Sequence, residues 1–396
     1  MYGSEALDKR NYRSLIIAGI GTIGKSLVTL GVEQFPLFDH IMAVDKDGDC
    51  LIPLENSGIP CITGDITDPQ FLNILMSEIP SPSLFVNLCS NTNNVRIRQN
   101  LACYDTAYLD SCASATENQD EYRFSRLMPY TYTTIPAPRP HWLCWGINPG
   151  LVEIIARRIL AELPDNSRTY DVAVYEFDRL ENGLLSEKAA VGWCPEALVE
   201  EVMLSPSLEI VEGQPSEDSG VGTRDCLVNW DSSSIPAKIV GHEDIWNLVA
   251  VPAVKNGSFY YSLSPAVMNI LNMDDAKTAR NLLYIPSEND TINGIEQVAV
   301  QVNKRKQKSK TLVWTEDHAA TWKQFGVNAV QYQTAKSLLL AILLLQRSDY
   351  GLMNLSFNAS NLPITSNEWP LFDRLMQELD IKWYDGSHLN LHVTSC

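Results

Sequence analysis

The chain is poor in paired cysteines, in metal-binding spacings and in long apolar runs. Its nine cysteines, at positions 50, 61, 89, 103, 112, 144, 194, 226 and 396, are scattered, odd in number and never at C-x-x-C spacing. That removes a zinc knuckle and a disulfide framework, and it suits a reducing compartment. No H-E-x-x-H is present, so no metal centre is expected, and without a G-x-S-x-G elbow acyl transfer has no visible support. Phosphoryl transfer is not expected either. The longest apolar run, Leu338 to Leu345, is far too short to span a bilayer. No secretory pattern opens the chain, so a soluble cytoplasmic protein with no membrane partner is expected. Basic residues are scarce too: 30 Lys and Arg stand against 48 Asp and Glu, a net charge of −18. Such a chain is a poor partner for nucleic acid and suits a cationic ligand, although solubility alone would account for the balance. At 396 residues it exceeds what one core usually serves, so two domains are expected.

What is present begins at Leu15. The run Leu15-Ile16-Ile17-Ala18 leads straight into Gly19-Ile20-Gly21-Thr22-Ile23-Gly24, a G-x-G-x-x-G turn, and then into a helical pattern reaching about Glu33. In such a turn the first glycine bends tightly, the second lets the backbone approach a pyrophosphate, and the third lets the helix pack on its strand. A second apolar run, Ile41-Met42-Ala43-Val44, ends in Asp45, 21 residues after Gly24, the distance at which a carboxylate accepts from adenosine ribose hydroxyls. Asp45 would repel a 2′-phosphate, so NAD is expected rather than NADP.

Strand-like and helix-like segments alternate through the first third, which predicts an α/β doubly wound parallel sheet of Rossmann type. After Cys61-Ile62-Thr63-Gly64-Asp65, Asp68-Pro69 opens a helix as N-cap and first-turn proline. Leu84 to Leu88 reads as a buried strand ending in the polar loop Cys89-Ser90-Asn91-Thr92-Asn93-Asn94, at the carboxyl end where open α/β sheets bind ligands. Cofactor candidates are therefore Gly19, Gly21, Thr22, Ile23, Gly24, Asp45, Asp65, Cys89, Ser90 and Asn91, then Asp110 and Ser111 after the strand Tyr108-Leu109-Asp110, and Pro149. Beyond a helix at Leu151 to Glu162 the texture changes to alternating segments such as Asp171 to Phe177 and Ala237 to Val240, which predict an α+β domain with a mostly antiparallel sheet. Expected domains are 1–146 for the cofactor, 147–327 for substrate and dimerisation, and 328–396 as helices packing back on the first. The basic run Lys304 to Lys310 reads as a solvated hairpin or loop, and Tyr332 to Leu345 as a buried helix.

A cationic amine would need carboxylates or an aromatic face. Gly192-Trp193-Cys194-Pro195 places a tryptophan in a tight turn, with Glu196, Glu200 and Glu201 within eight residues of it. From the residues alone, Trp193 reads as core, the glutamates as an outer helix face, and Glu176, by alternation, as solvent-facing.

Taken in order, several segments resemble bacterial homospermidine synthase, within the saccharopine-dehydrogenase-like group. They are Ala18 to Gly24, Val86-Asn87-Leu88-Cys89-Ser90, Tyr108-Leu109-Asp110-Ser111-Cys112, Asn148-Pro149-Gly150-Leu151-Val152, Gly192-Trp193, Gly241-His242-Glu243 and Asn328-Ala329-Val330-Gln331-Tyr332-Gln333. The likeness covers most of the chain, loosely between motifs. It implies a homodimeric enzyme of polyamine chemistry with tightly held NAD as a recycled hydride carrier. A diamine is oxidised to an imine and loses ammonia, a second amine condenses, and the stored hydride reduces the new imine. The resemblance also implies that Trp193 holds the cationic intermediate next to the nicotinamide, that Glu201 belongs to the amine site, and that Glu176 and Asn148 are further site residues. Two positions depart from the pattern. Ser114 stands where the family has a glutamate, with Glu117 the nearest carboxylate, and Ser264, ahead of Pro265, stands where it has a histidine. A substrate other than putrescine, or lost catalysis, is compatible with these departures. Two further readings stay open: a carboxyspermidine or saccharopine dehydrogenase type of reductase using free NAD(P)H, with Arg157 or Arg158 clamping a carboxylate, and a non-catalytic NAD-binding regulatory protein.

Overall fold

A computed structural model describes residues 10–114, 122–163, 168–182, 188–231, 233–287, 289–304 and 309–395. The chain divides into two compact units, one of residues 1–121, 126–150 and 334–380, the other of 122–125, 151–333 and 381–396.

The first unit is built on a parallel sheet. Its strands are β1 (Ser14–Ala18), β2 (His40–Asp45), β3 (Cys61–Thr63), β4 (Ser83–Asn87), β5 (Thr106–Asp110) and β6 (His141–Trp142), with Ser356–Phe357 as a seventh at one edge. They lie in the order Ser356–Phe357, β6, β5, β4, β1, β2, β3, and every pair is parallel. Excluding the added edge strand, this is the doubly wound order whose switch point falls between β1 and β4. β1, β4 and β5 are buried at every residue, which is why they read as continuous apolar runs rather than as alternation. Helix α1 (Thr22–Gly31) follows β1. The helix Pro69–Glu78 starts where Asp68 accepts a hydrogen bond from Gln70 N. The run Leu338 to Leu345 is buried in the helix Ala329–Arg347. Asn11 Nδ2 donates to Leu345 O at 2.8 Å, and Gln346 Oε1 accepts from Tyr12 N at 2.8 Å, next to the start of β1.

The second unit carries a ten-stranded sheet among the described residues. Its central strand is β7 (Tyr170–Asp178), flanked in parallel by Val254–Ser262 and antiparallel by Ile295–Lys304. The remaining pairings are antiparallel, so the α+β texture read from alternation is present. One face of β7 sends Tyr175 into a cluster with Cys226, Ala237, Ile239, Ala299 and Val313. The opposite face carries Glu176 and Asp178, both buried. Ile295–Lys304 pairs antiparallel with the strand that begins at Lys310, and residues 305–308 of the basic run lie outside the described residues. No described helix is long and apolar enough to cross a membrane.

Candidate functional site

The glycine turn has the geometry its spacing predicts. Gly19 has φ of +90°, and a Cβ there would meet Cys89 N at 2.6 Å, so the turn after β1 lies directly against the loop after β4. A Cβ on Gly24 would lie 2.0 Å from Gly19 O, so only glycine lets the helix pack this closely on the turn. Gly21 faces open space and caps α1 with no side-chain hydrogen bond, and the first turn carries no acid. The N–H groups of Thr22, Ile23 and Gly24 thus form a helix terminus suited to an anion. Asp45 sits beside this turn, accepting from Ile20 N at 2.6 Å and from Asp47 N at 2.9 Å. A carboxylate has about four acceptor positions, so two remain for hydroxyl donors.

Residues Gly19 to Ser26 also spell G-x-x-x-x-G-K-S, a phosphate-loop pattern that the expectation of no phosphoryl transfer passed over. The structure separates the two. A phosphate loop of that kind needs its backbone N–H groups free of helix up to the lysine. Here the helix already begins at Thr22, and the Ser26 hydroxyl donates to Thr22 O at 2.8 Å.

Around the switch point, the other candidates divide. Ser90 and Asn91 are exposed, and Asn91 adopts φ of 55°. Cys89 is half-buried, and burial pushes its thiol up to about 12, so it is no thiolate. Asp65 is held low by the Thr67 hydroxyl and N–H. Asp110 is turned into the protein: it accepts from Cys144 N at 2.7 Å and from Asn94 Nδ2 at 3.2 Å, and burial pushes its carboxyl up to about 6. Asn87 Nδ2 joins Asn94 Oδ1 and Tyr108 OH to the same network. Ser111 and Asn148 are half-buried, and Pro149, after a cis bond, is buried.

In the second unit, a cluster of buried polar and aromatic side chains forms on the face of the sheet that carries Glu176. Glu176 is 6% exposed, not solvent-facing, because β7 is central and covered on both sides; the alternation reading fails for that reason. Its register partner across the parallel pair is Tyr261, whose hydroxyl accepts from Trp193 Nε1 at 3.2 Å. Trp193 is half-buried, so the core reading is also corrected. Its turn is fixed from below: Asn328 Nδ2 and Gln331 Nε2 both donate to Gly192 O, at 2.8 and 3.2 Å, and a Cβ on Gly192 would strike Val330. Glu201 lies on a π-helical turn, Glu200–Leu204, that continues the short helix Pro195–Val199. Such wide turns concentrate at functional sites because they redirect side chains out of helical register. Burial pushes the Glu201 carboxyl up to about 8, with Glu176, Glu243 and Asp244 adding to the rise and His242 opposing it.

A second buried cluster adjoins the first. Asp178 and Glu296 are register partners on β7 and Ile295–Lys304, and His318 Nε2 lies 3.0 Å from Asp178 Oδ1. These three could offer a metal ion one atom each, a grouping no local spacing reveals. The hydrogen bonds assign it otherwise. Ala329 N donates to His318 Nδ1 at 3.2 Å, so Nε2 carries the hydrogen and presents a donor, not a lone pair, to Asp178. Asp178 also accepts from Leu180 N at 2.9 Å, whereas Glu296 Oε2 is buried with no hydrogen-bond partner. Burial, with Glu176 and Asp178 nearby, pushes Glu296 well above the usual carboxylate range. His388 and His392, four apart in sequence, lie on a turn and a strand rather than on one helix face.

Of the departing positions, Ser264 is buried before the helix Pro265–Leu271, Ser114 O accepts from Asn94 N, and Glu117 lies outside the described residues. Arg157 and Arg158 are half-buried on the helix Leu151–Ala161, and Arg158 faces Glu162 at 3.8 Å.

Residues 15–106 match the TrkA-N domain model. No curated protein matches the chain by sequence. Among solved structures, homospermidine synthase from Legionella pneumophila, determined in complex with NAD, aligns with a TM-score of 0.76 at 12% identity, over 95% of this chain and 92% of that one. Saccharopine dehydrogenase (L-Glu forming) from Saccharomyces cerevisiae aligns with a TM-score of 0.60 at 10% identity, over 97% of this chain and 100% of that one. The resemblance read from scattered motifs is therefore met as a shared fold: this chain has the architecture of the homospermidine synthase and saccharopine dehydrogenase structures.

Proposed function

We propose that the protein is an NAD-dependent oxidoreductase acting on an amine, in the manner of a homospermidine synthase, with NAD kept as a recycled hydride carrier. The observation that carries this reading is the cluster in which Trp193, Tyr261, Glu176 and Glu201 meet, in a chain that also has a complete dinucleotide turn. Aromatic face and carboxylates together suit a cation that is bound without a covalent link. The residues present suit NAD: α1 receives the pyrophosphate at its uncapped start, and Asp45 takes the ribose hydroxyls. NAD held there would supply the acceptor for a hydride from the carbon bearing the amine. This chain's part is to orient that carbon, to remove the ammonium proton beforehand and to hold the resulting cation, roles that fall to Trp193, Glu176 and Glu201.

Incubation with a panel of amines, followed by mass spectrometry of the products, tests the reading. Product without added NADH supports a recycled carrier, product only with added NAD(P)H points to the reductase type, and no amine-dependent change in bound-nicotinamide absorbance refutes amine oxidation. Asp45→Ala is expected to weaken NAD binding and to relax discrimination against NADP, as read by titration calorimetry. Native protein that binds NADP as tightly as NAD would refute the assignment of Asp45. For the cluster, Trp193→Ala is expected to lose about 1–2 kcal/mol of transition-state binding in kcat/KM, with Trp193→Phe retaining more because phenyl keeps a weaker π face. Equal losses in the two variants would remove the cation-π role.

A further inference from the structure

We propose that His242 is a fixed internal cation that sets the charge of Glu201, and so acts as a positioning residue for the removal of the substrate's ammonium proton. The inference rests on the amine reading of this cluster and adds to it a residue and a proton inventory.

The geometry is specific. Asp244 Oδ1 lies 3.1 Å from His242 Nδ1 and is itself anchored by Ile245 N at 2.6 Å. The imidazole stacks on Phe259, with centroids 4.7 Å apart and planes at 11°, which fixes the direction of the other ring nitrogen. That nitrogen, Nε2, lies 3.9 Å from Glu201 Oε1 on the π-helical turn. Glu243 is 3.9 Å from Nδ1. The charged groups facing His242 are thus Glu201, Glu243 and Asp244, all acidic, while Phe259 supplies an apolar wall. Burial opposes a charge on His242, but these three acids prevail and raise it to about 10, so the imidazolium persists at neutral pH. Glu201 in turn faces His242, Glu176, Glu243, Asp244 and Tyr261. Only His242 among them favours its carboxylate form.

The proton account follows. An ammonium has no lone pair to assist hydride loss, so one N–H bond must break first, its proton passing to the Glu201 carboxylate to leave a neutral amine and a carboxylic acid. His242 is already protonated and takes no part as acceptor. Its charge holds the Glu201 midpoint down at about 8 against three neighbouring carboxylates and burial, so the carboxylate that accepts the proton is the minor form at neutral pH and the main form above about pH 8.

The test uses the full chain labelled with [13C]glutamate at the side-chain carboxyl, Glu201 being assigned through Glu201→Gln. In His242→Gln, which keeps a hydrogen-bonding side chain without the charge, the Glu201 midpoint is expected to move up by at least about one pH unit. The acidic limb of kcat/KM is expected to move up with it. Asp244→Asn is expected to lower the His242 midpoint in the imidazole 15N spectrum, because Asp244 is the first of the acids that raise it. An unmoved Glu201 midpoint in His242→Gln, or a His242 that titrates near its ordinary value in the native protein, overturns the proposal. If the native protein turns over no amine, the amine reading fails separately, while the two titrations still decide whether His242 sets the charge of Glu201.

Discussion

Gly24→Val is expected to raise the Kd for NAD at least about 100-fold, a loss of about 2.7 kcal/mol or more. A single added carbon at this position already falls 2.0 Å from Gly19 O, well inside any tolerable contact, and the obstacle is backbone rather than a flexible side chain. To relieve the clash, the start of α1 must move away from the turn after β1. That displaces the N–H groups of Thr22, Ile23 and Gly24, whose convergence on one point makes the terminus suitable for a pyrophosphate. Gly21→Ala is the informative companion. Its Cβ meets nothing in the protein, so the melting temperature should hold while binding falls, because the methyl group enters the space the phosphates need. Titration calorimetry and thermal melting separate the two effects. Undiminished NAD affinity in Gly24→Val would mean that the dinucleotide does not bind at this turn.

His318→Leu is expected to destabilise the second unit by about 2–3 kcal/mol, the scale of removing a buried hydrogen bond to a charged group. Leucine leaves Asp178 accepting from Leu180 N, buried opposite Glu296. Glu296→Gln should act in the opposite direction, and with a definite pH dependence. Because the Glu296 pKa is raised in the folded state, its contribution to stability is fully present below the unfolded value and is lost as the pH rises toward the folded one. Glutamine keeps the neutral shape and titrates nowhere. The stability of Glu296→Gln relative to the native chain should therefore climb across the interval that opens above about pH 5. Urea melts across that interval measure it; a flat or falling difference would mean that Glu296 is ionised where it lies.

Parts of this molecule were legible in the sequence because their causes are local. The run from Leu15 to Gly24 declares a buried strand, a turn and a helix start within ten residues, and Asp45 follows from the length of one βαβ unit. The mixed second sheet showed itself through alternation, as at Asp171 to Phe177. The same alternation misplaced Glu176, since period two says only that neighbours face opposite sides and not which sides are covered. That depends on β7 becoming the middle of a wide sheet. Trp193 was misread for a related reason: its tight turn is set by Asn328 and Gln331, more than 130 residues away. The pairing of Asp178 with Glu296 and the approach of His242 to Glu201 arise from strand register and from a π-helical turn, neither of which has a composition signal.

The double clamp on the Gly192 carbonyl has a consequence for engineering. Because Asn328 and Gln331 hold the same oxygen that precedes Trp193, the two segments behave as one part made of two pieces. A library that varies residues 192–194 alone samples turns whose support is still cut for the original, and most members should relax away from Tyr261. Transplanting the tryptophan turn into a related scaffold should succeed only when positions 328–331 travel with it, and natural variation at Asn328 or Gln331 should be accompanied by a change at Gly192.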